Sequence, residues 1–493
     1  MKFFDLIVVG SGAGLNVLNS SLRRGLKCAL IESGKMGGTC LTRGCIPSKV
    51  LTYPSDLIRE GQHAKKVGIN FESEFDWKLI ADRMWNKVDE SKKIEENLSL
   101  VPSLSAFRGV GEFVDNYTMQ VKVGKKVEDL HGEKIVIASG ARSSVPPIEG
   151  LSEAGYVTSD SFFGEKFPAK PWKSLVIIGG GVIACEFAHI FSALGTKIRM
   201  VEMAPRLVST EEPEVSELLK ANLLRFMEVY TNKKAVGVYV KGEKKVVVME
   251  DVDSGENQEI VGEEIFVASG RRSNSDLLKP EKTGVDVDVG GWIKTNEFLE
   301  TSMKNIWCIG DANGGIQLRH RANYDSEICV HNMFNDDKER VDYSATPWAI
   351  YSFPQIGHVG MTEKQAIEAG FKIYVGVKNY SSVAKGYVMG FDRGDVDDGF
   401  IKVVVSKERK ILGAHVIGNN AAILVQPFVY LMNTGYVCPL PEVSERGPIK
   451  KLSHPCPEKG SFMPIRNSMI IHPSLNEVAA WVLGSLKPVN IQS

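Results

Sequence analysis

Two cysteines, Cys40 and Cys45, have the spacing of a redox pair. Four residues separate them, which permits an intrachain disulfide. If they form the first turns of a helix, the dipole at its N-terminus would lower the pKa of a thiol and make the thiolate reactive. The alternative interpretation is a pair of buried or metal-binding cysteines. The chain's other cysteines have no partner at motif spacing, so we expect them to be buried as small apolar residues, and we expect no bound metal.

Glycine-rich loops occur twice, each between an apolar run and a helix-compatible run. The first contains Gly10, Gly12 and Gly14, and the second contains Gly179 and Gly181. In such a loop, backbone N–H groups approach a pyrophosphate, whose charge also suits the positive end of the following helix. A single loop also fits a structural turn. Two loops in one chain predict that two dinucleotides meet, one donating hydride to the other.

An acidic residue ends the strand that follows each loop. Glu32 and Glu202 stand about twenty residues after the first glycine of their loops, where a carboxylate can accept a hydrogen bond from a ribose hydroxyl. The first loop departs from the usual pattern, because Leu15 fills the third glycine position. We expect this leucine to loosen the packing of helix on strand.

Glu202 also bears on the choice of the second cofactor. Its carboxylate would repel a ribose 2′-phosphate, which favours NAD over NADP. Ala184 in the third glycine position argues the other way, as do Arg199 and Arg206, which could meet a phosphate. We give the carboxylate more weight and predict NAD.

The elements that must position these residues form two βαβ units. Apolar strand runs precede both loops and both acids. Two further strands end in small-residue turns at Gly140 and Gly270, and each is expected to close one dinucleotide module. A strand and turn at 306–311, followed by a helix predicted at 319–332, return the chain to the first module. From about Thr346 the pattern becomes β-rich without a glycine fingerprint, which indicates a separate domain.

Composition excludes several classes of partner. The 493 residues include 59 basic and 60 acidic side chains, so no net field favours nucleic acid or an anionic membrane. Hydrophobic residues make up 43% of the chain in short runs, and none reaches the roughly 18 residues of a membrane span. A strand pattern begins within a few residues of the N-terminus, where a secretory signal would stand. We therefore predict a cytoplasmic protein.

The segment from Gly37 to Lys49 resembles the FAD-dependent pyridine nucleotide-disulfide oxidoreductases, in particular the dihydrolipoamide dehydrogenases. The resemblance continues through both glycine loops, Gly310-Asp311 and the segment 472–477. It implies an α/β fold with two Rossmann-like modules, for FAD and NAD, and a C-terminal α+β dimerisation domain. We place the FAD domain at residues 1–150 and 271–345, the NAD domain at 151–270 and the dimerisation domain at 346–493.

By this resemblance, each cysteine has a separate role. Cys45 is the flavin-side thiol, and Cys40 is the interchange thiol that forms a mixed disulfide with substrate. Lys49 and Glu186 are implied to pair beside the flavin ring. The other residues implied to hold cofactors are Gly10, Gly12, Gly14, Glu32 and Asp311 for FAD, and Gly179, Gly181, Glu202 and Gly270 for NAD.

His472 is the acid/base that the resemblance implies. Glu477 would orient its ring and raise its basicity. In this family the histidine reaches the cysteines of the other subunit, which implies a homodimer. On composition alone, a lone histidine is more often structural.

The implied reaction is oxidation of dihydrolipoamide, free or on a lipoyl protein, by NAD. A 2-oxoacid dehydrogenase or glycine cleavage complex is the implied assembly. The first alternative is an NAD(P)H-dependent reductase of a small disulfide, because Leu15 and the segment 317–323 are similar to mycothione reductases. A mercuric reductase fits less well, because the C-terminal cysteine pair of that family is missing here. A flavoprotein scaffold without turnover conflicts with the intact set of cysteines, histidine and glutamate.

A second His-Pro motif begins at His454, but its acid, Glu458, comes one residue early. It lies in a stretch from Cys438 to Ile465 that is rich in Pro and Lys and that we interpret as an insertion. We interpret this stretch as a surface loop, with a role in binding a substrate or partner as the alternative.

Overall fold

The computed structural model describes residues 1–434 and 458–489, and these residues form a mixed α/β architecture. Within these two ranges, no helix has both the length and the apolar character that crossing a membrane requires. The predicted class is confirmed, with two dinucleotide-binding modules followed by a C-terminal α+β domain. The division by residue number stays a prediction.

The N-terminal region forms the first module. Its elements are β1 (Lys2–Val9), α1 (Gly14–Arg23), β2 (Cys28–Glu32), α2 (Gly38–Thr42), α3 (Cys45–His63), α4 (Trp77–Val88), α5 (Glu90–Ser99), β3 (Leu104–Arg108), β4 (Gly111–Phe113), β5 (Thr118–Val123), β6 (Lys126–Ile137) and β7 (Ala141–Ser143). β1 lies between β2 and β6 and is parallel to both. Its last four residues, 6–9, are buried, as expected for a strand covered on both faces.

The second module repeats this plan on its own sheet, in the strand order β11-β10-β9-β15-β8. The elements of this region are α6 (Leu151–Ala154), β8 (Val157–Thr158), α7 (Ser159–Phe162), β9 (Ser174–Ile178), α8 (Val182–Ala193), β10 (Lys197–Glu202), α9 (Pro213–Leu223), β11 (Glu228–Thr231), β12 (Lys233–Lys241), β13 (Lys244–Asp251), β14 (Asn257–Gly262), β15 (Glu264–Val267) and β16 (Arg271–Ser273). All four pairings within the five-stranded sheet are parallel. β12, β13 and β14 form a separate antiparallel sheet.

After the second module the chain returns to the first sheet. β17 (Ile306–Cys308) pairs in parallel with the end of β6. A 3₁₀ turn, Gly310–Asn313, and α10 (Arg319–Phe334) follow. The return brings the N-terminus of α10 beside the first glycine loop.

The C-terminal domain is a six-stranded antiparallel sheet with helices, in the strand order β18-β19-β22-β21-β20-β23. Its elements are β18 (Pro347–Ile350), β19 (Ile356–Gly360), α11 (Glu363–Glu368), β20 (Ile373–Asn379), α12 (Ala384–Val388), β21 (Phe400–Ser406), β22 (Ile411–Ile417), α13 (Ala421–Leu424), α14 (Gln426–Met432), α15 (Met463–Asn467), α16 (Asn476–Trp481) and β23 (Lys487–Pro488).

Helix α3 joins the two modules. Asp56 lies 2.7 Å from the Nε2 atom of His189 on α8, and an Arg59 nitrogen donates to the Ser192 hydroxyl at 2.7 Å. His189 and Arg59 are buried. The helix that begins at Cys45 is therefore packed against the second module along its length.

Candidate active site

The two cysteines lie at a junction of helices. Cys40 is in α2, and Cys45 is the first residue of α3. Both are free thiols, and the Cys40 thiol is hydrogen-bonded to the Cys45 sulfur. The backbone N–H of Cys45 reaches its own sulfur, and that of Ile46 reaches the Cys40 sulfur. Backbone amides at the start of α3 thus lower the pKa of both thiols, and Cys45 has the position in the first turn of a helix that we considered from the sequence.

The two thiols differ in acidity. The hydrogen bond from Cys40 is the main cause that lowers the pKa of Cys45 to about 7; the charge of Lys49 acts the same way, while burial and Glu186 oppose it. The pKa of Cys40 is raised, because its thiol donates a hydrogen bond to Cys45 and is partly buried, although Arg319 offsets part of this. In the dithiol state Cys45 is therefore the more acidic thiol, and Cys40 donates the hydrogen bond between them.

Gly38 sets the position of this cysteine segment. Its φ angle of +70° is in the left-handed region, which favours glycine. A Cβ atom at this position would lie 2.4 Å from the Cα atom of Gly12. Only a glycine allows the cysteine segment to lie directly on the first glycine loop.

An ion pair between the modules lies beside Cys45. The Lys49 Nζ atom is 2.6 Å from the Glu186 Oε2 atom, and the other oxygen of Glu186 accepts a hydrogen bond from the Tyr351 N–H. The ammonium group also lies 4.4 Å from the centre of the Tyr351 ring. Glu186 is largely buried, so these contacts hold its charge in place.

A cavity of about 900 Å³ runs from the first glycine loop to the cysteines. This volume is near the upper end of the roughly 300–1,000 Å³ of ligand pockets, so it suits a large extended cofactor. Its wall includes these predicted residues: Gly10, Gly12, Glu32, Cys40, Cys45, Lys49, Glu186 and Asp311. The structure thus brings together residues that lie up to three hundred positions apart in the sequence.

Two side chains on the cavity wall have polar atoms without a hydrogen-bond partner. The Ser139 Oγ and Arg271 Nε atoms are buried and accept or donate no hydrogen bond among the described residues. Buried polar groups are rarely left unsatisfied, so a polar ligand is expected beside them. With the glycine loop at the start of α1, they fit a cofactor that carries a pyrophosphate and other polar groups.

The carboxylates of Glu32 and Glu202 are held in the same way in the two modules. Glu32 accepts from the Ser11 N–H at 2.8 Å and the Ser11 hydroxyl at 2.6 Å. Glu202 accepts from the Gly180 N–H, and its other oxygen accepts from the Ala204 N–H at 2.6 Å. Each acid is thereby fixed against the turn of its own glycine loop.

Not every predicted cofactor residue lines this cavity. Gly179, Gly181, Glu202 and Gly270 lie outside its wall, whereas α8, which follows the second loop, contributes part of it. The carbonyl group of Gly270 accepts from the Ser144 N–H at 2.9 Å. The second loop therefore lies outside the cavity wall, and the helix that follows it contributes to that wall.

Gly14 occupies the crowded position in the first loop. A Cβ atom there would lie 2.8 Å from the Val8 Cγ1 atom and 3.2 Å from the Ala138 Cβ atom. Leu15 is instead partly exposed and packs at the edge of the core. The expectation that Leu15 loosens the packing is wrong, because Gly14 makes the close approach of helix to strand.

The two arginines that argued for NADP have different surroundings. Arg199 pairs with Glu228 at 3.2 Å and donates to the Val261 carbonyl at 2.7 Å, so it is already engaged. The Arg206 Nη1 atom is buried and has no partner among the described residues. Ala184 is fully buried.

His472 lies outside the cavity wall of its own chain. Its Nδ1 atom is 2.7 Å from the Glu477 Oε1 atom, and the other oxygen of Glu477 accepts from the Ser474 N–H at 3.0 Å. The His472 side chain is 66% exposed, whereas that of Glu477 is 2% exposed. A buried carboxylate thus orients a ring that faces out of the subunit.

Sequence reasoning did not assign two residues of the site. Tyr351 follows β18, and no local signal connects it with Glu186. Arg319 is at the start of α10 and lines the cavity, and its charge lowers the pKa of Cys40. The signal for Arg319 was available, because the segment 317–323 already stood out by its similarity to mycothione reductases.

The remaining cysteines fall into two groups. Cys28, Cys185, Cys308 and Cys329 are buried free thiols. The stretch from Cys438 to Ile465 lies outside the described residues up to position 457, so its interpretation as a surface loop, and that of His454, stays a prediction.

Comparison with known proteins agrees with this geometry over most of the chain. A family model described as "Pyridine nucleotide-disulphide oxidoreductase" matches residues 4–325, and the dimerisation domain of the same group matches residues 346–439. Mycothione reductase of Mycobacterium tuberculosis is 30% identical over 448 residues, with 88% of this chain and 94% of that protein covered. Dihydrolipoyl dehydrogenase of Chlamydia muridarum is 29% identical over 430 residues, with 86% and 89% covered. The solved structure of the HOCl-induced flavoprotein disulfide reductase RclA from Escherichia coli has a TM-score of 0.78 and 25% identity, and covers 97% of this chain and 99% of its own.

Proposed function

The chain belongs to the pyridine nucleotide-disulphide oxidoreductase family, and from this premise we propose that it oxidises dihydrolipoamide, reducing NAD through FAD and the Cys40/Cys45 pair. Membership makes it a flavoprotein that acts on a disulfide. The dimerisation domain supports a homodimer. The dithiol substrate, the choice of NAD and the roles of single residues belong to the proposal.

One observation carries the proposal: an acidic thiol and a protonated thiol touch at one end of a cavity that begins at a dinucleotide loop. Lys49 stabilises negative charge on Cys45. A thiolate held in this way can transfer electrons to an acceptor in the cavity, while its neighbour exchanges disulfides with substrate.

The reaction begins with Cys40 and Cys45 joined as a disulfide. A substrate thiolate attacks the Cys40 sulfur, the bond between the cysteines breaks, and Cys45 leaves as a thiolate. The second substrate thiolate then attacks the substrate sulfur that is bonded to Cys40. The mixed disulfide breaks, cyclic lipoamide leaves, and Cys40 gains a proton. Two substrate thiols have become one disulfide, and the cysteine pair holds the two electrons. FAD, when bound in the cavity, would supply the redox chemistry that connects this dithiol with a hydride-accepting nicotinamide.

His472 is the proposed base that takes the substrate protons, and we propose that it acts in the active site of the partner subunit. Its exposed ring and its contact with buried Glu477 support this role. The carboxylate keeps the proton on Nδ1, so that Nε2 is free to accept one.

NAD is the proposed acceptor because of Glu202. Two backbone N–H groups hold its carboxylate at the second loop, and a 2′-phosphate there would meet a fixed negative charge.

A second candidate is reduction of a small disulfide by a reduced nicotinamide cofactor. Arg319 favours it: this cation lines the cavity near Cys40 and has no ion-pair partner among the described residues. Such a charge suits a substrate that carries a carboxylate. The similarity to mycothione reductase points the same way.

Steady-state turnover separates the two candidates. Dihydrolipoamide with NAD should give a higher kcat/KM than NADH or NADPH with a panel of small disulfides, including anionic ones. Faster turnover of an anionic disulfide would establish the second candidate instead, provided that Arg319→Met slows that turnover. If every dithiol and disulfide in the panel fails while the protein is loaded with FAD, neither candidate stands.

A mixed dimer tests the position of His472. Homodimers of Cys45→Ser lack the electron relay, and homodimers of His472→Gln lack the base. In a hybrid of the two, one active site has both an intact cysteine pair and an intact histidine from the other subunit. A doubly tagged hybrid should recover about half of the wild-type turnover per dimer. A hybrid loaded with FAD that stays inactive would show that His472 serves its own subunit.

A further inference from the structure

Two histidines and one carboxylate form a buried cluster between the second module and the C-terminal sheet. Glu211 precedes α9, while His358 in β19 faces His415 in β22 as a direct cross-strand pair. Each of the three side chains is at most 1% exposed. The cluster is separate from the cysteine cavity, whose wall includes none of the three.

The three donor atoms have the separations of metal ligands. The His358 Nδ1 atom is 3.0 Å from the Glu211 Oε2 atom and 3.0 Å from the His415 Nδ1 atom, and the latter two atoms are 3.9 Å apart. Three atoms at these distances lie on a circle of about 2.0 Å radius, which equals a zinc–nitrogen or zinc–carboxylate bond. An ion at the centre of that circle would reach all three.

The other nitrogen of each ring fixes where its lone pair points. The His358 Nε2 atom is 2.9 Å from the Gly360 carbonyl, and the His415 Nε2 atom is 3.1 Å from the Met361 carbonyl. A carbonyl oxygen only accepts, so each Nε2 atom carries the hydrogen, and in a neutral ring Nδ1 is then the acceptor. When both rings are neutral, two nitrogen lone pairs and a carboxylate oxygen therefore converge with no donor between them.

Contacts around the three residues hold them in place. The Trp348 Nε1–H donates to the free oxygen of Glu211 at 2.5 Å, and its indole stacks on the His358 ring with the centroids 3.5 Å apart. In metal-binding histidines, the N–H of the second ring nitrogen typically donates a hydrogen bond to a carbonyl or carboxylate. Metal-binding carboxylates also accept hydrogen bonds. This cluster has both features.

Charge balance also calls for a cation here. Among the described residues, no lysine or arginine forms an ion pair with Glu211. The nearby cation, Lys402, is engaged by Glu212, Glu214 and Glu363 at 3.1, 3.0 and 2.8 Å. A buried carboxylate without a positive partner is costly, so the cluster is expected to hold a positive charge of its own.

We propose that Glu211, His358 and His415 bind one divalent transition-metal ion, with Zn²⁺ as the reference ion. Two nitrogens and one oxygen suit such an ion better than Ca²⁺ or Mg²⁺, which prefer oxygen ligands. The ion ties the segment before α9 to the C-terminal sheet. The sequence predicted no metal, because ligands so far apart in the chain form no spacing motif.

Zinc binding is measured on full-length, FAD-loaded protein carrying Cys40→Ser and Cys45→Ser, because the redox thiols would themselves bind zinc. After chelation, titration against a chromophoric competitor should give one equivalent of Zn²⁺ per chain. X-ray absorption at the zinc edge should show imidazole scattering, only nitrogen or oxygen neighbours at about 2.0–2.1 Å, and no sulfur. Saturating zinc should also raise the melting temperature of this protein.

Ligand variants identify the site within the same background. His358→Gln, His415→Gln and Glu211→Gln should each weaken zinc binding by at least about 100-fold, and Trp348→Phe, which keeps all three ligands, by about 10-fold. The matched control is His189→Gln, since His189 is a buried histidine paired with a carboxylate but belongs to no cluster of three possible metal ligands among the described residues. Its zinc affinity should be unchanged. If a histidine variant fails to fold, the Trp348 and Glu211 variants and the absorption spectrum still decide the question.

Two results would overturn the proposal. The first is no stoichiometric zinc binding in the serine background, which would mean that a shared proton, held as an imidazolium, supplies the positive charge. The second is zinc binding that survives all three ligand substitutions.

Discussion

The two glycine loops are built alike, but at the second glycine of the motif, Gly12 or Gly181, only the first loop is covered by a neighbouring segment. In each, the first glycine has a positive φ angle, +102° for Gly10 and +119° for Gly179. A Cβ atom there would clash with the carbonyl oxygen of the residue after a neighbouring strand, Ala138 after β6 or Ala268 after β15. In the first module, Gly38 brings the cysteine segment directly onto the loop. In the second, a Cβ atom on Gly181 would meet no atom of the described residues within 4 Å, and Val182 is 43% exposed. The same turn thus serves an enclosed site and an open one, which suits a cofactor that stays and one that exchanges.

The largest effect is expected from filling the space over the covered loop. Gly38→Val places a side chain against Gly12 at a positive φ angle, so FAD affinity should fall by at least about 100-fold, or roughly 2.7 kcal/mol. Fluorescence titration of the deflavinated protein measures this. Gly181→Ala in the open loop is the control and should retain FAD. If Gly38→Val binds FAD normally, the first loop is not enclosed as we describe.

Reversing the acid of the open module should change cofactor choice. The wild-type kcat/KM for NAD should exceed that for NADP by at least about tenfold, or roughly 1.4 kcal/mol. Glu202→Arg should narrow or invert this ratio, because it replaces a charge that repels a 2′-phosphate. Steady-state kinetics with both cofactors provide the measurement.

Glu32→Arg is the matched substitution in the covered module. It should weaken FAD binding and leave the NAD/NADP ratio of the remaining holoenzyme unchanged. Equal efficiencies of the wild-type protein with NAD and NADP would show that Ala184 and Arg206 outweigh Glu202.

A smaller effect is expected where the two modules meet. In the two-electron-reduced protein, the long-wavelength absorbance due to the Cys45 thiolate should rise with pH through about 7. Lys49→Gln should move this midpoint up, since it removes a charge that favours the thiolate. Glu186→Gln should move it down, since that carboxylate opposes the thiolate. A pH titration of the band measures both.

Cys45→Ser is the control and should have no such band. A band that persists there but is lost in Cys40→Ser would reverse the assignment of the two thiols. If the pH midpoint of the band shifts in the same direction in the Lys49 and Glu186 variants, the charges of these two residues do not control the pKa of Cys45.

The smallest effect concerns Leu15. Restoring the usual glycine in Leu15→Gly should lower the free energy of unfolding by at least about 1 kcal/mol, because glycine is unfavourable in a helix and Gly14 already makes the close contact. Thermal denaturation measures it. Gly14→Ala is the comparison and should also lower the free energy of unfolding, because the added methyl group would meet Val8. If Leu15→Gly instead stabilises the protein, Leu15 does loosen the packing of helix on strand, as expected from the sequence.

The family and the fold class were predictable because their signals are local. A glycine loop, its acid and a cysteine pair each lie within a short stretch whose residue types follow from the chemistry. The pairing of Tyr351 with Glu186, and the cluster of Glu211 with His358, are contacts between distant segments that no spacing reveals. The site of action of His472 stays a prediction, because its position beside the cysteines of the partner subunit depends on the dimer.

The packing of α3 has a consequence for exchanging parts between such proteins. The helix that starts at Cys45 contains residues that contact the second module, among them Lys49, Asp56 and Arg59. This helix comes far before residue 151 in the chain. A chimaera that imported only residues 151–270 would therefore carry a foreign surface against the native α3. To change nucleotide preference by domain swapping, the face of α3 that packs against the second module has to be transferred with it.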